Sequence, residues 1–346
     1  VITLAPVNAF TPAQAAGAPY SCAQPWLELC RKVYGYDLRL FLVAQDGAPI
    51  GGFCCAVVRS ALFGNRLVSM PFSDEPGLWL NPGTRLPEGG QAALGAALAG
   101  ALDALAAETG AAYAELRGAA GAYAAGGLQE TSPYLRLVLD TTRPYAALRE
   151  NFHINLLKNL RKADKTVEVR ETRDPAAAAG VYGVYLSQMR RFGSPPLPAA
   201  HFEALLRSGL GRLYIASVNG AEAAFLFALV RDGVFYADVN AGLPAHDAYF
   251  PKIRLFDETI RLACREGLRA YDLMRTRPAG GVYEHKKKWG GAELPIKYYF
   301  RTYRPGVKPG LDPEDVRFAL PRLLLKCAPL CLLRSAGPAV RRHAAK

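Results

Sequence analysis

Residues 212–233 read RLYIASVNGAEAAFLFALVRDG, and residues 39–53 read RLFLVAQDGAPIGGF. In each, an Arg-Leu pair (Arg212-Leu213, Arg39-Leu40) opens an apolar run that reaches a turn dipeptide seven residues on, Asn219-Gly220 or Asp46-Gly47. Such dipeptides supply the left-handed pair of a tight hairpin turn, so both stretches predict two antiparallel strands. The likeness resumes downstream. A helical pattern followed by Gly110 and Glu115 matches a helical pattern followed by Gly267 and Asp272, with five residues from glycine to acid in both. Agreement of two separate registers signals an internal duplication, which outranks local patterns in deciding architecture. The expected fold is therefore α/β (α+β): two similar units, each a mixed, mainly antiparallel sheet flanked by helices.

Around these anchors the first copy predicts a helix over Pro25–Val33, a hairpin over 39–60, a strand over Leu67–Phe72, a helix over Leu94–Glu108, and strands at Tyr113–Leu116 and Leu135–Leu139. Residues 1–20, rich in Ala, Pro and Gly, are expected to be loosely ordered. Between the copies, FHINLLKNLRKADKTVEVRE (152–171) lacks Gly and Pro and reads as helix. Leu156, Leu157, Leu160 and Ala163 line one side, and Lys158, Arg161, Lys162 and Lys165 fall at i, i+3, i+4 and i+7 on the other. Such a face is by default solvated, but beside a second basic cluster it could wall a positive cleft. The second copy continues with a helix over Val181–Phe192, the stiff loop GSPPLP, a strand over 234–242, a helix over Pro251–Glu266 opened by proline, and a strand over Leu294–Tyr303. The tail from Phe318 is too short and too interrupted by Arg322, Lys326 and Pro329 to span a bilayer. Its leucine face is expected to pack on the body of the protein, with a membrane surface as the alternative.

The 346 residues suffice for two domains, and 51% hydrophobic content suits a globular chain. The net charge of +12 is uneven: residues 1–145 hold 9 Lys/Arg against 11 Asp/Glu, leaving 33 against 19 in the other 201. An anionic partner is thus expected at the second half. Seven cysteines without CxxC pairs and five scattered histidines give neither a disulfide framework nor a metal site, and suit a reducing cytoplasm. The sequence opens on Val1 rather than Met and carries no basic leader ahead of an apolar segment, so no secretory signal is expected within these residues.

The chemistry concentrates in AYDLMRTRPAGGVYEHKKKWG, residues 270–290. A buried-looking strand holding Asp272 passes Arg275 and Arg277 into a loop with Pro278, Gly280 and Gly281, which delivers Tyr283, His285, Lys286, Lys287, Lys288 and Trp289. A strand ending in flexible backbone and then cations suits an anionic ligand. GxxxxGK[ST], strand-linked GxGxxG and GxSxG motifs are missing, which weakens kinase, dehydrogenase and hydrolase readings.

Taken together, RLVSMPFSDEPG (66–77), NLLKNLRKADKTVEV (155–169), YLSQMRRFGSPPLP (185–198), YDLMRT (271–276) and GVYEHKKKWGGAELP (281–295) resemble the FemAB/FemABX-like proteins. The nearest branch is the one associated with exopolysaccharide and PEP-CTERM systems. The resemblance implies two tandem GNAT-like domains, an N-terminal one over 1–147 joined by the tail 306–346, and a C-terminal one over 148–305 carrying the active site. It also implies transfer of an acyl or aminoacyl group, from aminoacyl-tRNA or an acyl-CoA, to an amine of a cell-envelope, peptidoglycan or exopolysaccharide precursor. By that likeness Lys286 is the cation near the departing group, preceded by His285 where the family usually has Phe. Asp272 and Arg275 occupy the acidic strand end and the arginine after it. Asp272 either orients or deprotonates the acceptor amine or merely caps Arg275. Tyr283, Trp289, Asn240 and Tyr249 become substrate contacts, and Lys158, Arg161 and Lys162 become holders of diphosphate or RNA. The coenzyme A turn of ordinary acetyltransferases and the coiled-coil arm of some members are not evident. The competing expectation is a non-catalytic basic module of the same fold that binds RNA or an anionic membrane surface.

Overall fold

The computed structural model describes residues 1–118, 121–311 and 315–345. In chain order the first repeat holds β1 (Ile2–Val7), α1 (Gln24–Lys32), β2 (Asp37–Gln45), β3 (Ala48–Val58), β4 (Arg66–Val68), β5 (Leu78–Leu80), α2 (Gly90–Thr109), β6 (Tyr113–Arg117) and α3 (Gly121–Ala125). Then come β7 (Gln129–Asp140) and α4 (Tyr145–Arg149). The second repeat runs through α5 (Ile154–Ala163), β8 (Val167–Thr172), α6 (Ala177–Phe192), α7 (Ala199–Arg207), β9 (Gly211–Val218), β10 (Ala221–Arg231), β11 (Val234–Gly242), α8 (Pro251–Arg265), β12 (Ala270–Thr276) and α9 (Gly281–Lys287). The chain closes with β13 (Ala292–Thr302), α10 (Ala319–Cys327) and α11 (Leu330–Ala344).

The duplication is present as expected. Asp46-Gly47 and Asn219-Gly220 turn the β2/β3 and β9/β10 hairpins, with φ of 50° and 82° in one and 51° and 80° in the other. The chain divides into two compact units, one of Val1–Pro133, Ile296–Asp315 and Val340–Lys346, the other of Tyr134–Pro295 and Val316–Ala339. In the first, strands pair in the order β1-β2-β3-β4-β6 and then the part of β13 from Tyr298 on, with β5 beside β3. In the second, the order is β8-β9-β10-β11-β12 and then the later part of β7. Both sheets are antiparallel except at one pair, β4/β6 and β11/β12, which is parallel. These divisions differ from 1–147 and 148–305, because β7 hydrogen-bonds to β12 and β13 to β6, so each sheet is completed by a strand outside its own repeat.

Two expectations are corrected at the sheet margins. The start of the chain is not loose: β1 pairs residue for residue with β2, from Ile2 opposite Gln45 to Val7 opposite Leu40. Pro6 is tolerated there because an edge strand need not donate on both sides. Likewise the helix expected over 152–171 stops at Ala163, and VEVRET becomes β8, whose pairing with β9 supplies the backbone partners that an isolated helix turn would have to find locally.

Each unit has its own core. In the first, α2 is long and apolar enough to cross a membrane, yet Leu94, Leu98, Leu102 and Leu105 are buried against Val43, Phe53 and Leu116 of the sheet side. In the second, Leu255, Phe256 and Ile260 of α8 pack with Leu156 and Leu160 of α5, with Phe235 and Tyr271 of the strands, and with Trp289. Trp289 is 0% exposed, its ring edge-on to Phe152 at 5.1 Å and tilted to Phe256 at 5.8 Å. The next residue, Gly290, has φ +71 and passes so close to Asn151 that a Cβ would sit 2.8 Å from the Asn151 carbonyl oxygen. This clamps the end of α9 to the loop before α5, where the His153 amide donates to the Lys288 carbonyl at 2.9 Å.

Trp289→Ala is expected to lower unfolding free energy by about 3–5 kcal/mol through cavity formation, read as a lower denaturant midpoint. A midpoint equal to that of the unmodified protein would remove Trp289 from the core described.

Candidate active site

The β11/β12 pair decides the geometry of the second unit. The parallel pairing joins Val234 to Ala270, Phe235 to Tyr271 and Tyr236 to Asp272, and ends there although β11 runs on to Gly242 and β12 to Thr276. Asp272 therefore stands at the fork where the two strands part. On one arm, the Gln188 side chain of α6 fastens β11, its amide nitrogen donating to the Asn240 carbonyl at 2.7 Å and its oxygen accepting from the Gly242 amide at 3.3 Å. On the other, the β12/β7 register slips between Asp272 and Arg275.

That slip is a bulge with Met274 in the left-handed region, φ 63°, which is costly for a side chain with a Cβ. Three side chains stabilise it. The Asp272 carboxylate, 2% exposed, accepts from the Met274 amide at 2.7 Å, and it also takes a charge-assisted bond from Arg136 of β7 at 2.9 Å. The Lys286 ammonium, 8% exposed, donates to the Met274 carbonyl at 2.8 Å and to the Arg275 carbonyl at 2.9 Å. Arg275 itself turns its guanidinium over the Tyr134 ring, 5.0 Å from the centroid, and Arg277 does so at 5.6 Å. The Asp272 carboxylate is ion-paired with Arg136, which stands opposite Arg275 in the strand register.

The loop expected at 281–288 is largely helix, which sorts the lysines. One face of α9 turns Lys286 inward, with Trp289 one turn further along the same side, while Lys287 is exposed. Tyr283 is half-buried, donates to Glu293 at 2.8 Å and lies under the Lys287 ammonium at 5.4 Å. His285 faces Phe256, centroid to centroid 6.2 Å, within the electrostatic reach of Lys252, Lys288 and Lys286. Burial first, and then those three ammonium groups, push the imidazole down to about 4, so it is neutral at physiological pH.

The structure thus gathers Lys286, Asp272 and the Arg275 backbone at the end of β12, while His285 faces Phe256 of α8 and Asn240 lies on the opposing arm. Trp289 is a core residue rather than a surface one. Tyr249 stands exposed in the turn before α8. Lys158, Arg161 and Lys162 lie on the exposed face of α5, and Lys162 places its ammonium 5.8 Å from the Phe250 ring centre, just ahead of Lys252. Arg136, Gln188 and Lys252 belong to this set but carry no motif of their own. Arg136 and Gln188 are recognisable only once the strand register and the α6/β11 contact are known.

Comparison with known proteins agrees with this architecture. The acetyltransferase (GNAT) domain family matches residues 151–287, which contain the fork, α8 and all of α9. The fold is a tandem GNAT fold, and the resemblance to FemAB-like proteins read from the sequence holds at the level of that fold. The crystal structure of FemX is similar with a TM-score of 0.62 at 13% identity, covering 81% of this chain and 92% of that one. L-PGS from Bacillus licheniformis follows with a TM-score of 0.53 at 11% identity, covering 82% and 93%. The C-terminal domain of a putative lysylphosphatidylglycerol synthetase from Agrobacterium fabrum gives 0.50 at 12%, covering 72% and 81%. No curated protein matches the sequence.

The depressed imidazole has a consequence for stability. In the unfolded chain His285 protonates near its ordinary 6.5, in the fold only near 4. Between these values the unfolded state holds the extra proton, so stability rises with pH there and falls as pH is lowered from about 6.5 to about 4, by at most on the order of 3 kcal/mol. His285→Phe, which keeps a ring against Phe256, is expected to flatten that part of the profile in chemical denaturation at stepped pH. An unaltered slope in the variant would refute the buried neutral imidazole.

Proposed function

We propose that this protein is an N-acyltransferase whose second repeat transfers an acyl or aminoacyl group to an amine on a cell-envelope precursor, of the peptidoglycan or exopolysaccharide class. The observation that carries the reading is the buried Lys286 ammonium fixed at the bulge of β12, beside the point where β11 and β12 separate. The match of residues 151–287 to an acetyltransferase (GNAT) domain supports it. So do the likenesses to FemX and to a putative lysylphosphatidylglycerol synthetase, whose names concern other proteins. The anionic donor is an aminoacyl-tRNA or a coenzyme A ester, and the placement is cytoplasmic.

In this reading the arms of the fork hold the acyl group between them. As the amine attacks, negative charge grows on the carbonyl oxygen and then on the leaving oxygen or sulfur. A pre-positioned cation in a water-poor site stabilises that charge without reorganising. Lys286 is that cation, and Lys252, Lys288 and Lys162 supply the field that draws the anionic donor in. Arg136 orients Asp272 beside the bulge, where the carboxylate positions the incoming amine. His285, neutral over the physiological range, adds no further positive charge beside the lysines.

Lys286→Ala is expected to lower turnover by about 10²–10³-fold with a donor found by thermal-shift screening of acyl-CoA esters, aminoacyl-tRNA and nucleotide sugars. Because two carbonyls lose a donor, the variant also loses stability. Lys286→Met, which refills the volume, therefore serves as the folded control and should be equally inactive. Full turnover by the Met variant would dismiss Lys286 as the cation, whereas absence of turnover with every donor, together with binding that falls steeply with salt, would favour the basic-module reading.

A further inference from the structure

The expectation that the tail packs its leucine face on the body is corrected by α10, which buries none of its residues. A contact inside the fork bears more directly on the chemistry. β11 has β10 on one side and β12 on the other, but its pairing with β12 ends at Tyr236 while the strand continues to Gly242. Beyond Tyr236, no strand among the described residues pairs with that side of β11, which is an open edge facing the fork. Such an edge presents backbone carbonyls and amides that take up amide-bearing chains by strand addition.

Backbone alternation fixes which groups face that way. The Leu243 amide donates to the Ala223 carbonyl of β10 at 2.9 Å, so Gly242 and Asn240 turn their backbone groups away from β10. These are the two residues that Gln188 engages. Its Nε2 donates to the Asn240 carbonyl at 2.7 Å, and its Oε1 accepts from the Gly242 amide at 3.3 Å. In a parallel ladder, one residue of the neighbouring strand bonds to a carbonyl and to the amide two residues further on. The Gln188 carboxamide thus takes the place of one residue of β12, where β12 itself has turned away. It is held there. Gln188 is 8% exposed, and earlier on α6 the Tyr182 hydroxyl donates to the Leu197 carbonyl at 2.7 Å while the Tyr185 hydroxyl accepts from the Leu197 amide at 3.0 Å. Swinging the carboxamide out would strip two backbone groups of their partner, which is costly in a buried place.

We propose that Gln188 is a specificity-determining residue, which closes the open edge of β11 to donors that reach the fork through an amide-bearing arm. Coenzyme A is such a donor: the arm between its diphosphate and its sulfur carries two secondary amides, the groups that would pair with the Asn240 carbonyl and the Gly242 amide. An acyl group esterified directly to a ribose hydroxyl brings no such arm and has no use for the edge. The inference rests on the acyl-transfer reading and separates its two donors, even though the domain family matched is one of acetyltransferases.

The test is calorimetric titration of the full chain with coenzyme A and with 3′-phospho-ADP, which is coenzyme A without its arm. The unmodified protein is expected to treat the two alike, since the arm finds no free backbone groups. In Gln188→Ala both groups are released, and coenzyme A is expected to gain about tenfold or more over the armless nucleotide, the worth of two neutral hydrogen bonds. Gln188→Ser, also too short to reach β11, repeats the comparison if the alanine variant does not fold. A preference of about tenfold or more for coenzyme A in the unmodified protein overturns the proposal whether or not the variants fold. So does a folded variant, checked by circular dichroism, that still treats the two alike. Because the readout is binding, absence of turnover with every donor would remove the acyl-transfer reading without altering either ratio.

Discussion

A carboxylate and an ammonium, both buried against a strand bulge, hold β12 in a shape that a regular ladder would not adopt. Met274 sits in the left-handed region because Asp272 takes its amide while Lys286 takes its carbonyl and the next one. Left-handed placement of a residue with a Cβ costs about 1–2 kcal/mol, well within what two charge-assisted hydrogen bonds return at about 1.5–3 kcal/mol each. The bulge therefore stays put. With it goes the short parallel pairing of β11 with β12, since the slip begins one residue past the last shared pair.

The same arrangement explains why charges of both signs are buried there. An unpaired Asp272 or Lys286 would be expensive in so dry a place. Arg136 neutralises the first, and the strand carbonyls solvate the second. His285 completes the balance by remaining neutral among lysines. Folding and local electrostatics are one problem here, because the groups that fix the backbone are themselves the buried charges.

How far the sequence reveals this follows from the range of each interaction. The hairpins are legible because Asp46-Gly47 and Asn219-Gly220 decide their turns locally. The glycine-to-acid spacing is legible because Gly110 and Gly267 end helices in the left-handed region and the strand follows at once. Within KKK at 286–288 nothing in the residue types says which ammonium turns inward; the i, i+3 relation of Lys286 to Trp289 is the one available signal, and it needs the helix to be known first. The Asp272–Arg136 pair depends on the β7/β12 register, set by residues 136 positions apart. β1 and β8 are hidden for a related reason, since an edge strand with Pro6 or a strand behind a helix gains its order from the neighbour it pairs with.

The first repeat shows what the duplication does not conserve. Glu115 occupies the place of Asp272, last in the parallel pairing of its strand with β4, and is equally buried. Its partner, however, is Arg117 on the same strand at 2.8 Å, and that arginine goes on to the Ser73 carbonyl at 2.9 Å. The space a forked pair of strands would open is further taken up by the chain end: Arg66 donates to the carbonyls of His343 and Ala344, and Arg117 to that of Ala345. Cations there are spent on backbone oxygens belonging to the unit itself, and β4 ends at Val68 instead of running on as β11 does. The two repeats therefore differ in where their paired strands part: in the second, β11 runs on past its last pair with β12 to Gly242, whereas in the first the chain end lies against Arg66 and Arg117.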